Sequence, residues 1–240
     1  MNVFIIYANE RDASFNAALK DLSVRVLQEN NHNVQVSDLY AMAFKAVADK
    51  QDFNQASYAD HPYQVAQNMA SGSGHLSQDI KTEVEKIFWA DLIIFHFPLW
   101  WFSMPAIMKG WMDRVIINGP LYSRGRWYSN GVLKGKRAFV TITTGGPKTV
   151  YSETGINGYM ENLLFPIQHG IFHFLGMNAL EPFIVYSSPY ISEEERKEKL
   201  EDYRKKLSSI EGAPFISPPD IDLYDQVTWK KIEAVNRSIS

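Results

Sequence analysis

The chain has 240 residues, of which 45% are hydrophobic and 21% charged, and its net charge is −3. That is the make-up of a globular protein with one large domain or two small ones, and the mild negative charge argues against nonspecific nucleic-acid binding as its main task. The absence of cysteine excludes a disulfide scaffold, a thiol nucleophile and any cysteine-ligated metal or iron–sulfur cluster.

No apolar run reaches membrane-spanning length. The first residues enter a strand pattern directly, with no basic leader and cleavage site. A cytoplasmic protein with no integral membrane segment is therefore expected. Asn2–Ala8 (NVFIIYA) predicts the first strand. Ser14 can cap a helix whose apolar residues fall at Phe15, Leu19, Leu22 and Val26. Asn33–Leu39 alternates and predicts a second strand, which completes a βαβ unit. Tyr40–Gly74 has no period and is too polar for a core, so a long loop is expected there, functional or packed on a partner subunit. Leu76–Phe88 predicts an amphipathic helix with a polar start at Ser77 and Asp79.

Ala90–Pro98 is an apolar run of strand length, and Leu99-Trp100-Trp101-Phe102 follows it. Pro105–Ile117 predicts a helix with Pro105 in its first turn. Asn118–Gly135 is a second long loop, and Lys136–Thr144 is a strand stopped by Gly145-Gly146-Pro147. Asn162–Leu175 is apolar nearly all round, which predicts a buried helix, in the core or in an interface. Asn178–Ser187 contains the last strand, and Ser192–Ile210 is a capped, charged, solvent-facing helix. The result is an α/β fold, a doubly wound five-stranded parallel sheet in the order 2-1-3-4-5. One domain is expected over residues 1–210, with a C-terminal extension over 211–240 packed on it.

Ligands of such sheets sit at the carboxyl ends of the strands. Three loops should converge there. Asn9–Asn16 leads into a helix N-terminus, which offers N–H groups and a positive dipole end to a phosphate. Pro98–Phe102 is either a wall for a flat ligand or a plain buried loop. Thr143-Thr144-Gly145-Gly146 is either a backbone strip that a ligand approaches closely or a tight turn. Together the three suit a flavin, which needs a packed ring, a held phosphate and hydrogen bonds along the ring edge. His169 and His173 lie four apart on a helix and could face a metal. No third ligand has useful spacing, so a core pair with ordinary hydrogen bonds is the expected reading.

Longer stretches carry a resemblance. They include Ser14-Phe15-Asn16, Ser37-Asp38-Leu39-Tyr40-Ala41-Met42, Gly74-His75-Leu76-Ser77, Phe97-Pro98-Leu99, Trp101-Phe102, Lys109-Gly110-Trp111, Ile142-Thr143-Thr144-Gly145-Gly146, Pro166-Ile167-Gln168 and Leu180-Glu181-Pro182. In these the chain resembles the NAD(P)H:quinone oxidoreductases, over about residues 2–210. The resemblance implies a flavodoxin-like fold, bound FAD, and a homodimer with active sites at its interface. It implies two-electron, ping-pong hydride transfer from NADH or NADPH, through flavin N5, to a quinone, and extension to azo or nitro compounds. Carried over, the phosphate and adenosine side would use Asn9, Ser14, Phe15, Asn16 and Ala18, with Arg196 nearby. The ring would lie on Pro98, Leu99, Trp100, Trp101 and Phe102, with Thr143, Thr144, Gly145 and Gly146 along its other edge. Tyr151 would donate to the ring as negative charge develops. Trp101 and Phe102, with Tyr122, Arg124 and Phe174, would shape the substrate pocket, Phe174 coming from the neighbouring subunit.

The chain departs from the family at five positions. Asn9 stands for a loop His, Ala13 for a loop Thr, and Asn157 for the His that relays a proton. Asn cannot take up a proton at neutral pH, so Tyr151 alone, or a water, is expected to serve. Arg124 stands for a pocket Tyr and favours acidic or polar acceptors, or a phosphorylated cofactor. Ser217 stands where some members have a Cys beside two His, so no firm metal site is expected. The alternative to the enzyme is an ancillary flavoprotein subunit that regulates a potassium-efflux transporter.

Overall fold

The computed structural model describes residues 1–232. Five strands, β1 (Asn2–Tyr7), β2 (Asn33–Asp38), β3 (Leu92–Pro98), β4 (Arg137–Thr143) and β5 (Asn178–Leu180), lie in the order β2-β1-β3-β4-β5. Their pairings are all parallel, and β3 is buried along its whole length. The expected last strand is broken. Asn178 and Ala179 pair with Arg137 and Ala138, and β6 (Phe183–Val185) resumes against Thr141–Thr143. Pro182 lies in the gap and has no N–H for the ladder. From the C-terminal extension β7 (Phe215–Ile216) adds antiparallel to β5, a pairing the sequence reading did not include. The part of that extension beyond residue 232 lies outside the described residues.

Strand alternation sends side chains to two faces. Val3, Ile5, Leu92, Ile94 and Phe139 pack under α1 (Phe15–Glu29). Phe4, Ile6, Phe95, Phe97 and Ile142 pack on the other face with α2 (Tyr63–Ser73), α3 (Gln78–Trp89), α4 (Ala106–Val115) and α5 (Met160–Ile167). The last helix, α6 (Glu193–Ser208), joins the α1 side through Tyr203 and Leu207. Ser14 caps α1, its Oγ accepting from the Ala17 N–H at 3.1 Å. Ser192 caps α6 in a reciprocal box with Glu195. Pro105 stands just before α4 rather than in its first turn. The Ser77 hydroxyl donates to Asp79 (2.6 Å) and caps no backbone N–H of α3.

Two stretches correct the sequence reading. Tyr40–Gly74 is not a long loop too polar for the core. It holds two 3-10 turns and α2, and it buries Phe44, Phe53, Tyr58, Ala66 and Ala70. Its polar residues pair among themselves and with α4, which is how a polar segment is buried without loss. Asp52 is fully buried. It accepts from Arg114 Nε (3.0 Å) and Nη2 (2.8 Å), from Lys45 Nζ (2.9 Å) and from Tyr63 Oη (2.6 Å). Gly110 permits the approach of the segment to α4, since a Cβ there would collide with the backbone of Ala46. The second stretch is Asn162–Leu175. It is no continuous buried helix: α5 contains Pro166, and a π-helical turn, Gln168–His173, takes over. Pro166 lacks the N–H of a regular ladder, and π turns occur where the ladder is interrupted. One side is open, with Phe165 59% exposed.

Candidate active site

The loops after β1, β3 and β4 meet at the carboxyl edge of the sheet. In the first, Asn9 Nδ2 donates to Ser14 Oγ (2.6 Å) and to the Arg11 carbonyl (3.1 Å). Asn16, in the first turn of α1, donates from Nδ2 to Thr143 Oγ1 (2.8 Å), which ties that turn to β4. Its Oδ1 is buried and has no partner among the described residues. The guanidinium of Arg196 lies 5.5 Å from the Phe15 ring centroid. Arg196 also donates to the carbonyls of Ser188 and Ile191 (3.3 and 3.4 Å). Ala18 is half-buried one turn further on. The start of α1 thus gathers backbone N–H groups and a nearby cation, which fits an anionic ligand.

After β3 the Leu99 N–H still donates to the Thr143 carbonyl at 2.8 Å. Trp100 and Ser103 then exchange both backbone hydrogen bonds, at 3.0 and 2.9 Å. The two residues between them, Trp101 and Phe102, have φ of 49° and 61°. A two-residue turn with both centres left-handed is the usual place for Asn-Gly, and a bulky residue there costs about 1–3 kcal/mol. Trp101 is nonetheless 94% exposed. The strain at Trp101 is thus not offset by packing within the chain.

After β4 the Thr144 Oγ1 and the Ser187 N–H both donate to the Gly146 carbonyl, at 2.7 and 3.0 Å. A Cβ on Gly145 would meet nothing within 4 Å. One on Gly146 would press on Val150 (3.2 Å) and on the Tyr151 ring and hydroxyl (3.3 Å). Tyr151 ends a short turn, Lys148–Tyr151, with its ring 5.8 Å from that of Tyr186. The Asn157 N–H donates to the Val150 carbonyl at 2.9 Å, which returns the chain to the same turn. An open glycine, a capped helix N-terminus and an exposed aromatic turn fit a planar ring with an anionic arm.

Of the expected substrate aromatics, Trp101 and Phe102 lie in these loops, whereas Tyr122 and Phe174 line a separate cavity. Tyr122 and Phe174, with ring centroids 5.8 Å apart, line a cavity of about 630 Å³ together with Tyr63, Gln67, Met112 and Ile171. None of residues 98–102, 143–146 or 151 lines it. Arg124 is exposed on the same loop as Tyr122. Burial raises the Tyr122 hydroxyl, so it remains a donor at neutral pH. Tyr63 and Gln67 were not singled out in the sequence, because they lie in the stretch that showed no period. His169 and His173 have ring centroids 5.8 Å apart. His169 stacks on Phe165, and His173 Nε2 lies 3.1 Å from the Ile216 carbonyl. The Nδ1 of His173 is buried without a partner among the described residues, so the pair is only partly satisfied.

This is the architecture of a flavodoxin-like oxidoreductase, with three loops gathered at the carboxyl edge of the sheet, where such folds take their ligands. The sequence model of the family described as flavodoxin-like fold matches residues 1–207. The ribosyldihydronicotinamide dehydrogenase [quinone] of Pongo abelii is 42% identical over 212 residues, covering 87% of this chain and 91% of that protein. The NAD(P)H dehydrogenase [quinone] 1 of Rattus norvegicus is 38% identical over 224 residues, covering 92% and 81%. A provisionally assigned quinone reductase of solved structure, from Klebsiella pneumoniae, superposes with a TM-score of 0.87 at 35% identity, covering 96% and 93%. The chain belongs to the flavodoxin-like family of NAD(P)H:quinone oxidoreductases, which are enzymes. Among the described residues no helix is long and apolar enough to cross a membrane.

Proposed function

We propose that the chain is an FAD-dependent NAD(P)H:quinone oxidoreductase that works as a homodimer in the cytoplasm. The observation that carries this reading is the division of the site. The aromatic cavity with Tyr122 and Phe174 is lined by none of the residues in the three loops, so the two lie at different places on one chain. A two-fold dimer would lay the cavity of one copy over the loops of the other, as isologous interfaces allow. Residues 1–210 would form the catalytic domain, and 211–240 an extension packed on it.

Bound FAD would supply a ring that takes hydride from the nicotinamide and then yields it to a quinone, by a ping-pong sequence. Asn9, Ser14, Phe15, Asn16, Ala18 and Arg196 would hold its phosphate and adenosine side. Pro98, Leu99, Trp100, Trp101 and Phe102 would form the floor under the ring, and Thr143, Thr144, Gly145 and Gly146 its hydrogen-bonding edge. Tyr151 would donate from Oη where negative charge collects, a preorganised donor of the kind that lowers barriers. Asn157 would orient that region without carrying a proton. Trp101 and Phe102 would sandwich a flat substrate with Tyr122 and Phe174 of the other copy, and exclude water from it. Arg124 would favour acidic acceptors or NADPH, and the open site would admit azo and nitro compounds. The ancillary-subunit alternative gains nothing from the relatives, which are named as quinone-reducing enzymes.

The test is initial-rate kinetics with NADH or NADPH and a simple benzoquinone, alongside sedimentation. Parallel double-reciprocal lines and a dimer are expected. Intersecting lines refute the ping-pong sequence, and an active monomer refutes the shared site.

A further inference from the structure

The cofactor reading leaves one buried titratable group without a task. On the α1 face of the sheet the first halves of the strands are apolar at Val3, Ile5, Leu92, Ile94 and Phe139, with Arg137 at the start of β4 the exception. Toward the carboxyl edge the same rows turn polar, with Tyr7, His96, Thr141 and Thr143 all buried. Tyr7 and Thr141 flank His96 in register. Part of this layer is satisfied. Thr141 Oγ1 lies 2.8 Å from Tyr203 Oη, which lies 2.9 Å from Ser23 Oγ. The rest is not. Both ring nitrogens of His96 and Asn16 Oδ1 are buried with no partner among the described residues, and the Tyr7 hydroxyl, though it faces the side chains of Asn9 and Ser14, makes no well-formed hydrogen bond. The Tyr7 and His96 rings meet edge-on, with centroids 5.4 Å apart. A leucine would continue the apolar row at position 96 without the cost of an unpaired polar group. Tyr7 and His96 belong to this layer, and Asn16, in the first turn of α1, is tied to it through Thr143.

We propose that His96 is a positioning residue for the phosphate arm of the cofactor. His96 backs the Tyr7 ring, Tyr7 faces Asn9 and Ser14, and the pair thereby holds Asn9, Ser14 and Asn16 in the geometry that receives that arm. The inference rests on the reading that α1 receives the phosphates. Burial pushes the imidazole down to about 3, so the ring is neutral at pH 7, one nitrogen a donor and the other an acceptor. Burial likewise raises the Tyr7 hydroxyl. Lys20, whose Nζ lies 5.5 Å from the Tyr7 ring centroid and 2.7 Å from Asp21, is the cation facing this pair, and Asp38 and Asp21 are the anions near Tyr7. Neither His96 nor Tyr7 adds charge to the site. They add orientation.

The test compares wild type, His96→Leu and His96→Gln as flavin-free proteins, by thermal melting and by titration with FAD and with riboflavin, which lacks phosphate. His96→Leu should melt higher when empty, bind FAD about tenfold more weakly and bind riboflavin unchanged. His96→Gln, which keeps a donor and an acceptor, should restore FAD affinity. Tyr7→Phe should shift FAD affinity in the same direction and carries the test if His96→Leu does not fold. FAD binding unchanged in His96→Leu, equal loss of FAD and riboflavin, or a lower melting point of the empty variant overturns the inference. A wild type that takes up neither flavin refutes the cofactor reading itself.

Discussion

Gly145 separates the needs of the fold from those of the ligand. It has no close neighbour on the side where a Cβ would project, and its φ is not left-handed. Gly145→Ala therefore strains nothing in the chain. Fewer unfolded conformations should stabilise the variant by about 0.4–1 kcal/mol, which raises the Tm of a domain this size by roughly 2–4 °C per kcal/mol. The new methyl would occupy the strip that a flavin edge must approach. Losing that approach should weaken flavin binding at least tenfold, or about 1.4 kcal/mol. Gly146→Ala is the contrast. Its methyl would lie 3.2 Å from Val150 and 3.3 Å from Tyr151, and such overpacking costs about 1–3 kcal/mol. Thermal melts of the flavin-free proteins and fluorescence titrations with FAD read both effects. A Gly145→Ala protein that binds FAD as wild type does would refute the placement of the ring edge on this strip.

Other substitutions test other parts of the account. Arg114→Met leaves Asp52 charged and buried without its main partner, which should cost about 3–5 kcal/mol in urea unfolding; a cost under 1 kcal/mol would show the clamp to be ornamental. Burial alone would raise the Asp52 and Asp79 carboxyls, but bonds from Arg114 hold both below the usual range. Their contribution to stability is therefore present above an unfolded pKa of about 3.9 and is lost as pH falls through the lower folded values. Acid titration should show this loss in wild type and a smaller one in Arg114→Met. Trp101→Gly relieves a left-handed φ and should hold or raise the Tm while quinone reduction falls; unchanged turnover would remove Trp101 from the site. Ser14→Ala removes the cap of α1 and should cost about 1 kcal/mol, with weaker FAD binding measured in the same titration.

What the sequence shows of this fold is what local periodicity carries. The run Leu92–Pro98 reads as a strand because every residue in it is buried, and α1 reads as a helix because Ser14 caps a regular apolar stripe. The helix α2 escaped because its buried stripe is Ala66, Gln67 and Ala70, too small and polar to register as a face. Asp52 and Arg114 look like surface residues until the fold pairs them. The division of the site was equally hidden. Tyr122 and Phe174 carry a resemblance to family pocket residues, but only the tertiary structure sets them in a cavity that none of the cofactor loops lines. The strain at Trp101 and Phe102 runs against local preference, and such conflicts concentrate where function overrides folding.

The central claim is that the three loops at the carboxyl edge hold FAD. The direct measurement is the identity and amount of chromophore released when the purified protein is denatured, read by absorbance and chromatography. The account predicts FAD equimolar with the chain, either as purified or after addition to the empty protein. FMN in its place, or no flavin retained under either condition, would contradict it.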